Sequence, residues 1–130
     1  MANFSIEKIT TVLAVEVVQP SLDFWQGRLG FECTVTVPHG DTIGFAILVK
    51  DGTELMLQSV ASILEDTGSS TGEVNGRSAA LFIEVTDLAA VEAALDGYPL
   101  AMPRRTTFYG MHEVGVREPG GHFVIFAQRA

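Results

Sequence analysis

Few side chains in this sequence could bind a metal ion or transfer a proton. It contains three histidines and one cysteine, Cys33, which lies in a strand-like run that favours a small buried apolar role over a nucleophile. His39 and His122 stand beside turn glycines, which predicts solvated surface histidines. His112 follows Tyr109-Gly110-Met111, and this position favours a hydrogen-bonded histidine at a sheet edge over a histidine that contacts a ligand. Histidine chemistry alone therefore assigns no active site.

Carboxylates are the other candidate donors. Glu54, Glu84 and Glu113 fall in strand-like segments, and for Glu54 and Glu84 solvent exposure is expected because burying a carboxylate without a partner is costly. No glycine-rich loop with a lysine leads from a strand into a helix. The catalytic residues consequently stay unassigned.

Composition narrows the class of protein. A chain of 130 residues is long enough to form one domain with its own core. The net charge of −8 disfavours nucleic acid and anionic membranes as partners. The N-terminus lacks the pattern of a secretory signal, no stretch is long and apolar enough to span a membrane, and a single cysteine cannot form an internal disulfide. We expect a soluble cytoplasmic protein.

Hydrophobic periodicity predicts the same order of elements twice. The first half reads as a strand at 9–18, a helix at 21–29 that ends at Gly30, and strands at 32–37, 42–50 and 53–59, with Asp51-Gly52 as a tight hairpin turn. The second reads as a strand at 79–85, a helix that Asp87 caps and Gly97 ends, and strands at 100–104, 110–117 and 122–128. Residues 61–78 carry the loop chemistry of a linker. The pattern predicts an α+β fold of two βαβββ modules, at about 7–60 and 79–128.

Several strings resemble the glyoxalase, bleomycin-resistance and ring-cleaving dioxygenase superfamily. They are the strand that starts at Thr11-Val12-Leu13, the pair Phe24-Trp25, the stop Leu29-Gly30-Phe31, and the closing hairpin with Tyr109-Gly110-Met111-His112-Glu113, Pro119-Gly120-Gly121-His122 and Phe126-Ala127-Gln128. The resemblance covers almost the whole chain and implies one domain over 1–130. It implies two paired modules that form an open, U-shaped mixed sheet with helices on the outside, a pocket in the concave face, and a homodimer.

Metal-dependent members of that superfamily take one ligand from the first and one from the last strand of each module. Carried over, the resemblance places three of these positions on Thr10, Ala80 and Ile125. The fourth falls on Glu54, Leu55 or Met56, depending on how the two halves are aligned. Ala80 and Ile125 have no donor atom, so we expect no metal site and no cofactor.

Strand alternation then selects the side chains that would line the concave face. The candidate ligand-binding residues are Thr10, Val12, Glu54, Met56, Gln58, Phe82, Glu84, Met111, His112, Glu113, Phe123 and Ile125. A largely apolar floor with carboxylates at its rim suits a small apolar or aromatic molecule, including a cationic one. Two alternatives stay open: a metal-dependent lyase, isomerase or dioxygenase with a displaced metal site, and an interaction module whose concave face is filled by its own side chains.

Overall fold

Two βαβββ modules follow one another in the computed structural model, which describes residues 3–67 and 79–130. The first contains β1 (Thr11–Val15), α1 (Val18–Leu22) continued by a π-helix (Asp23–Arg28), β2 (Glu32–His39), β3 (Thr42–Lys50) and β4 (Thr53–Ser59). After α2 (Val60–Thr67), the second contains β5 (Ala80–Glu84), α3 (Leu88–Ala94), β6 (Met102–Thr106), β7 (Met111–Arg117) and β8 (Phe123–Arg129). The predicted α+β class and module order are confirmed.

Each module forms its own four-stranded mixed sheet. The strand orders are β1-β4-β3-β2 and β5-β8-β7-β6. The first and last strands of a module pair in parallel and the others pair antiparallel. In the β3–β4 hairpin, Asp51 and Gly52 both have positive φ angles, 50° and 77°, as a tight two-residue turn of this kind requires.

The first helix begins earlier than predicted. It starts at Val18, not at residue 21, so Pro20 lies in its first turn. A proline is tolerated there because the first helical N–H groups have no partner within the helix. Gly30, with a φ of 76°, follows the π-helix and ends it as predicted. In α3 the side chain of Asp87 accepts a hydrogen bond from the Ala90 N–H, which confirms the predicted cap.

The linker prediction is wrong for its first residues, since α2 occupies Val60–Thr67. The Ser59 hydroxyl accepts a hydrogen bond from the Ser62 N–H at 3.1 Å, so it caps the first turn and lets β4 pass directly into a helix. The glycine-containing part of the predicted linker, residues 68–78, lies outside the described residues. Within the described ranges, no helix has the length and apolar character needed to cross a membrane.

The core lies between the helices and one face of each sheet. It joins side chains of both modules, such as Trp25 and Leu57 of the first and Leu88 and Val114 of the second. Trp25 is completely buried and makes an edge contact with Phe31, with ring centroids 5.3 Å apart. The prediction that Phe24 and Trp25 pack in the core is confirmed.

The faces of the two sheets that point away from the core are here called the open face. The open face carries Val12, Met56 and Gln58 in sheet one, and Phe82 and Ile125 in sheet two.

Candidate functional site

In sheet one, strand register brings the predicted residues of β1 and β4 side by side. Val12 pairs with Met56, and Ala14 pairs with Gln58. From β3, Ile47 pairs with Met56 and Phe45 pairs with Gln58, so two further apolar side chains belong to this face. Alternation in β3 together with the Asp51-Gly52 hairpin could have identified both.

Two predicted residues of module one lie near the end of this face. Thr10 is half-buried and directly precedes β1. Glu54 pairs with Val49, and its carboxylate forms an ion pair with the ammonium of Lys8 at 2.9 Å. Glu54 is therefore neutralised locally by a residue that the sequence analysis had not considered.

In sheet two the open face combines apolar and charged side chains. Phe82 pairs with Ile125, and Ala127 lies between Glu84 on β5 and Glu113 on β7. At one end of the face the guanidinium of Arg117 lies over the ring of Phe123, 5.1 Å from its centroid. Met111 lies at the other end, where it pairs with Arg129.

The structure does not bring His112 to the open face. His112 follows Met111 and precedes Glu113, and neighbouring residues of a strand point to opposite sides of the sheet. It pairs with Gln128, and its Nδ1 lies 2.9 Å from the hydroxyl of Thr106. Its side chain is thus held on the face that carries the helices.

Glu113 is the most constrained charged group of the open face. Its side chain is completely buried, and one carboxylate oxygen accepts hydrogen bonds from Nε and Nη2 of Arg105 at 3.1 and 2.9 Å. The other oxygen accepts a hydrogen bond from the Tyr109 hydroxyl at 2.6 Å. Three donors therefore compensate this buried charge, and neither Arg105 nor Tyr109 is among the candidate ligand-binding residues predicted from the sequence.

This arrangement fixes the loop between β6 and β7. The hydrogen bond to Glu113 raises the pKa of Tyr109 above its ordinary value, since ionising the phenol would remove the donor and place two negative charges together. Tyr109 in turn makes an edge contact with Phe108, which is fully exposed, at a ring separation of 5.1 Å. Arg105 stays half exposed. The open face of sheet two therefore presents an aromatic side chain and a guanidinium beside its apolar residues.

The residues at the expected metal-ligand positions do not fit a divalent ion. With Thr10 equivalent to Ala80, Val12 is equivalent to Phe82, and their strand partners Met56 and Ile125 are therefore equivalent. This selects Met56 as the fourth position, where a thioether is a poor ligand for such ions, while Ala80 and Ile125 offer no lone pair. Within 3–67 and 79–130, no three His, Cys, Asp or Glu side chains come together in a metal-binding group.

His122 lies in the core, so the prediction of a solvated surface histidine is wrong. Its side chain is 2% exposed. Nδ1 accepts a hydrogen bond from the Ala79 N–H at 3.2 Å, and Nε2 lies 2.7 Å from the carbonyl oxygen of Ala14. Because a carbonyl can only accept, Nε2 carries the proton, and the ring is the neutral Nε2–H tautomer. The imidazole joins the edges of the two modules, a contact that the neighbouring turn glycines could not reveal.

Two βαβββ modules that share one core and expose apolar residues on the opposite faces of their sheets define an α+β protein. The chain belongs to the Glyoxalase/Bleomycin resistance protein/Dioxygenase superfamily, whose sequence profile matches residues 8–126. Among curated protein sequences, none matches it significantly.

Solved structures of the same fold cover nearly the whole chain. A glyoxalase/bleomycin resistance protein/dioxygenase from Nocardioides has a TM-score of 0.74 at 20% identity, covering 98% of this chain and 86% of that one. TioX from Micromonospora sp. ML1 has a TM-score of 0.75 at 18% identity, covering 95% and 99%. The bleomycin-binding protein of Streptomyces verticillus, complexed with copper(II)-bleomycin, has a TM-score of 0.63 at 24% identity, covering 97% of each chain. At these identities the likeness shows the fold alone.

Proposed function

We propose that this protein binds a small apolar or aromatic molecule on the open face of its sheets, without a metal ion. The observation that carries the proposal is the apolar character of that face where it meets solvent. Val12 and Phe82 are 46% and 51% exposed, and their strand neighbours are Met56 and Ile125. Apolar surface that a protein leaves in contact with water commonly marks a binding site.

Charged groups beside the apolar floor would orient the ligand. Glu84 is exposed and shares the open face with Phe82, so ligands with a cationic group are included in the proposal. Because Glu113 already accepts three hydrogen bonds, we assign it a role in holding Tyr109 and Arg105 rather than in proton transfer. The complex of the Streptomyces verticillus protein with copper(II)-bleomycin supports a small-molecule ligand for this chain as well.

We also propose that the two modules form one domain and that the protein is a cytoplasmic homodimer. The hydrophobic core joins side chains of both modules, which supports the single domain. Phe4, Ile6 and Ile9 of the N-terminal segment are 75%, 70% and 83% exposed, and apolar surface of this kind is commonly covered by association. Cys33 is a free thiol, which suits a reducing compartment.

A thermal-shift screen in the presence of EDTA tests the proposed function. Aromatic compounds, with and without a cationic group, should raise the melting temperature by mass action. Phe82→Asp should weaken the binding of each hit about tenfold or more because it places a charge on the apolar floor.

Leu100→Asp is the matched control, since Leu100 is 48% exposed and lies outside the sheets. It should leave the affinities unchanged. Equal losses in both variants, or hits that disappear when EDTA is added, would contradict a metal-free site on the open face.

A further inference from the structure

The pairing register of the two modules identifies equivalent residues. Val12 corresponds to Phe82, because Thr10 aligns with Ala80 when the two halves are superposed, and their parallel partners Met56 and Ile125 correspond in turn. Counting along the strands from these pairs, Ala14 corresponds to Glu84, Ile9 to Ala79, and Thr53 to His122. The edges of the modules therefore meet at two equivalent junctions, one at His122 and the other at Thr53.

The first junction is closed by His122. Its imidazole is buried and connects Ala79, just before β5, to Ala14 on β1. The adjacent Gly120 packs tightly, since a Cβ atom there would come within 2.4 Å of Val15 and 3.1 Å of the Ser21 hydroxyl. The chain is therefore closely packed beside the imidazole.

At the second junction Thr53 takes the place of His122, and its short side chain leaves the space open. The Thr53 hydroxyl donates to the Lys50 carbonyl at 2.6 Å, so it is engaged in its own turn. Thr53 lines two depressions, one of about 440 Å³ that includes Ile9 and one of about 460 Å³ that includes Glu84. These are the two residues equivalent to the hydrogen-bond partners of His122.

The larger depression has the chemistry of a site for a flat cationic ring. Its walls include Leu29, Phe31, Ile83 and Val91, which can cover the faces of a ring, as apolar side chains do in ligand pockets. Its charged lining residues are Asp51, Glu84 and Asp87 against the single ammonium of Lys50. The excess of carboxylates favours a neutral or positively charged guest.

We propose that the larger depression of the second junction binds a planar imidazole-type ring in the place that His122 occupies at the first junction. We call this depression the Thr53 recess; it is lined by Leu29, Phe31, Thr53, Ile83, Glu84 and Val91, among others. The guest is a small, weakly basic nitrogen heteroaromatic with an N–H donor. The recess differs from the open-face site of the proposed function in its apolar walls, which come from the side of the sheets that carries the helices, while Glu84 borders both sites.

Titration of the ¹⁵N-labelled protein with imidazole, followed by amide chemical shifts, tests the proposal. Saturable shifts should centre on Phe31, residues 50–53 and residues 83–91. Thr53→His should fill the recess from within and weaken imidazole binding about tenfold or more. Thr42→His is the matched control, because Thr42 also begins a strand and donates its hydroxyl to the carbonyl three residues earlier.

The outcomes separate this site from the open face. Binding that survives in Thr42→His and is lost in Thr53→His supports the recess. Shifts that are absent, that centre on Phe82 and Ile125, or that persist unchanged in Thr53→His overturn it. Hits of the thermal-shift screen should still bind Thr53→His, so failure of the recess and failure of the open-face site are distinguishable.

Discussion

Replacing His122 with alanine should lower the free energy of unfolding by about 3–5 kcal/mol. The substitution removes both hydrogen bonds of the imidazole and leaves the partly buried Ala14 carbonyl and Ala79 N–H without these partners. Each unmade bond of this kind costs about 1–3 kcal/mol. The space left by a ring that was 2% exposed adds a cavity cost.

Urea unfolding at fixed pH, followed by circular dichroism, measures this loss. His39→Ala is the control, because His39 is partly exposed and its Nδ1 lies 3.2 Å from the exposed carboxylate of Glu65, a surface contact that is worth at most about 1 kcal/mol. A loss below about 1 kcal/mol for His122→Ala, with an unchanged denaturant slope, would show that the imidazole does not hold the modules together.

Three further predictions concern the open face, the module junction and metal binding. Tyr109→Phe should remove part of the pH dependence of stability, because the pKa of Tyr109 is raised in the folded state, so that its contribution to stability is complete below the ordinary tyrosine pKa of about 10 and is lost as the pH rises through the folded value. The urea midpoints of wild type and variant should therefore converge between neutral and alkaline pH, and parallel curves would contradict the link to Glu113. Gly120→Ala should destabilise the protein by about 1–3 kcal/mol, because its Cβ would come within 2.4 Å of Val15. In the control Gly27→Ala the Cβ meets nothing within 4 Å, so thermal melting should find this variant as stable as the wild type or more stable, and equal effects of the two substitutions would refute the tight packing at Gly120. Zinc titration should find no tight site in the wild type and a measurable site in a variant that combines Thr10→His, Met56→Glu, Ala80→His and Ile125→Glu. Tight zinc binding by the wild type would show that the ligand positions are assigned incorrectly.

Much of the fold follows from local signals. The alternation of apolar residues places Val12, Met56 and Ile125 on one face of their sheets, as the strand register confirms. Asp51-Gly52 and Asp87 act as the turn and the cap that their residue types predict. Such features depend on neighbours within a few positions, so one sequence suffices to identify them.

The features missed by the sequence analysis depend on distant contacts or on competing local rules. His122 looks like a turn residue, yet it is buried because β1 of the other module lies against it. The pairing of Arg105 with Glu113 requires the register of β6 and β7, which an irregularity between Met102 and Arg105 shifts. The start of α2 was overlooked because serine is common both in loops and at helix caps, and Ser59 is a cap.

The binding of Nile red, a neutral apolar aromatic dye, to protein dialysed against EDTA tests the central claim most directly. A metal-free apolar site on the open face predicts saturable dye fluorescence that is unchanged by added zinc, lost in Phe82→Asp and retained in Leu100→Asp. Absence of saturable binding, a dissociation constant that depends on zinc, or equal loss in both variants would contradict it.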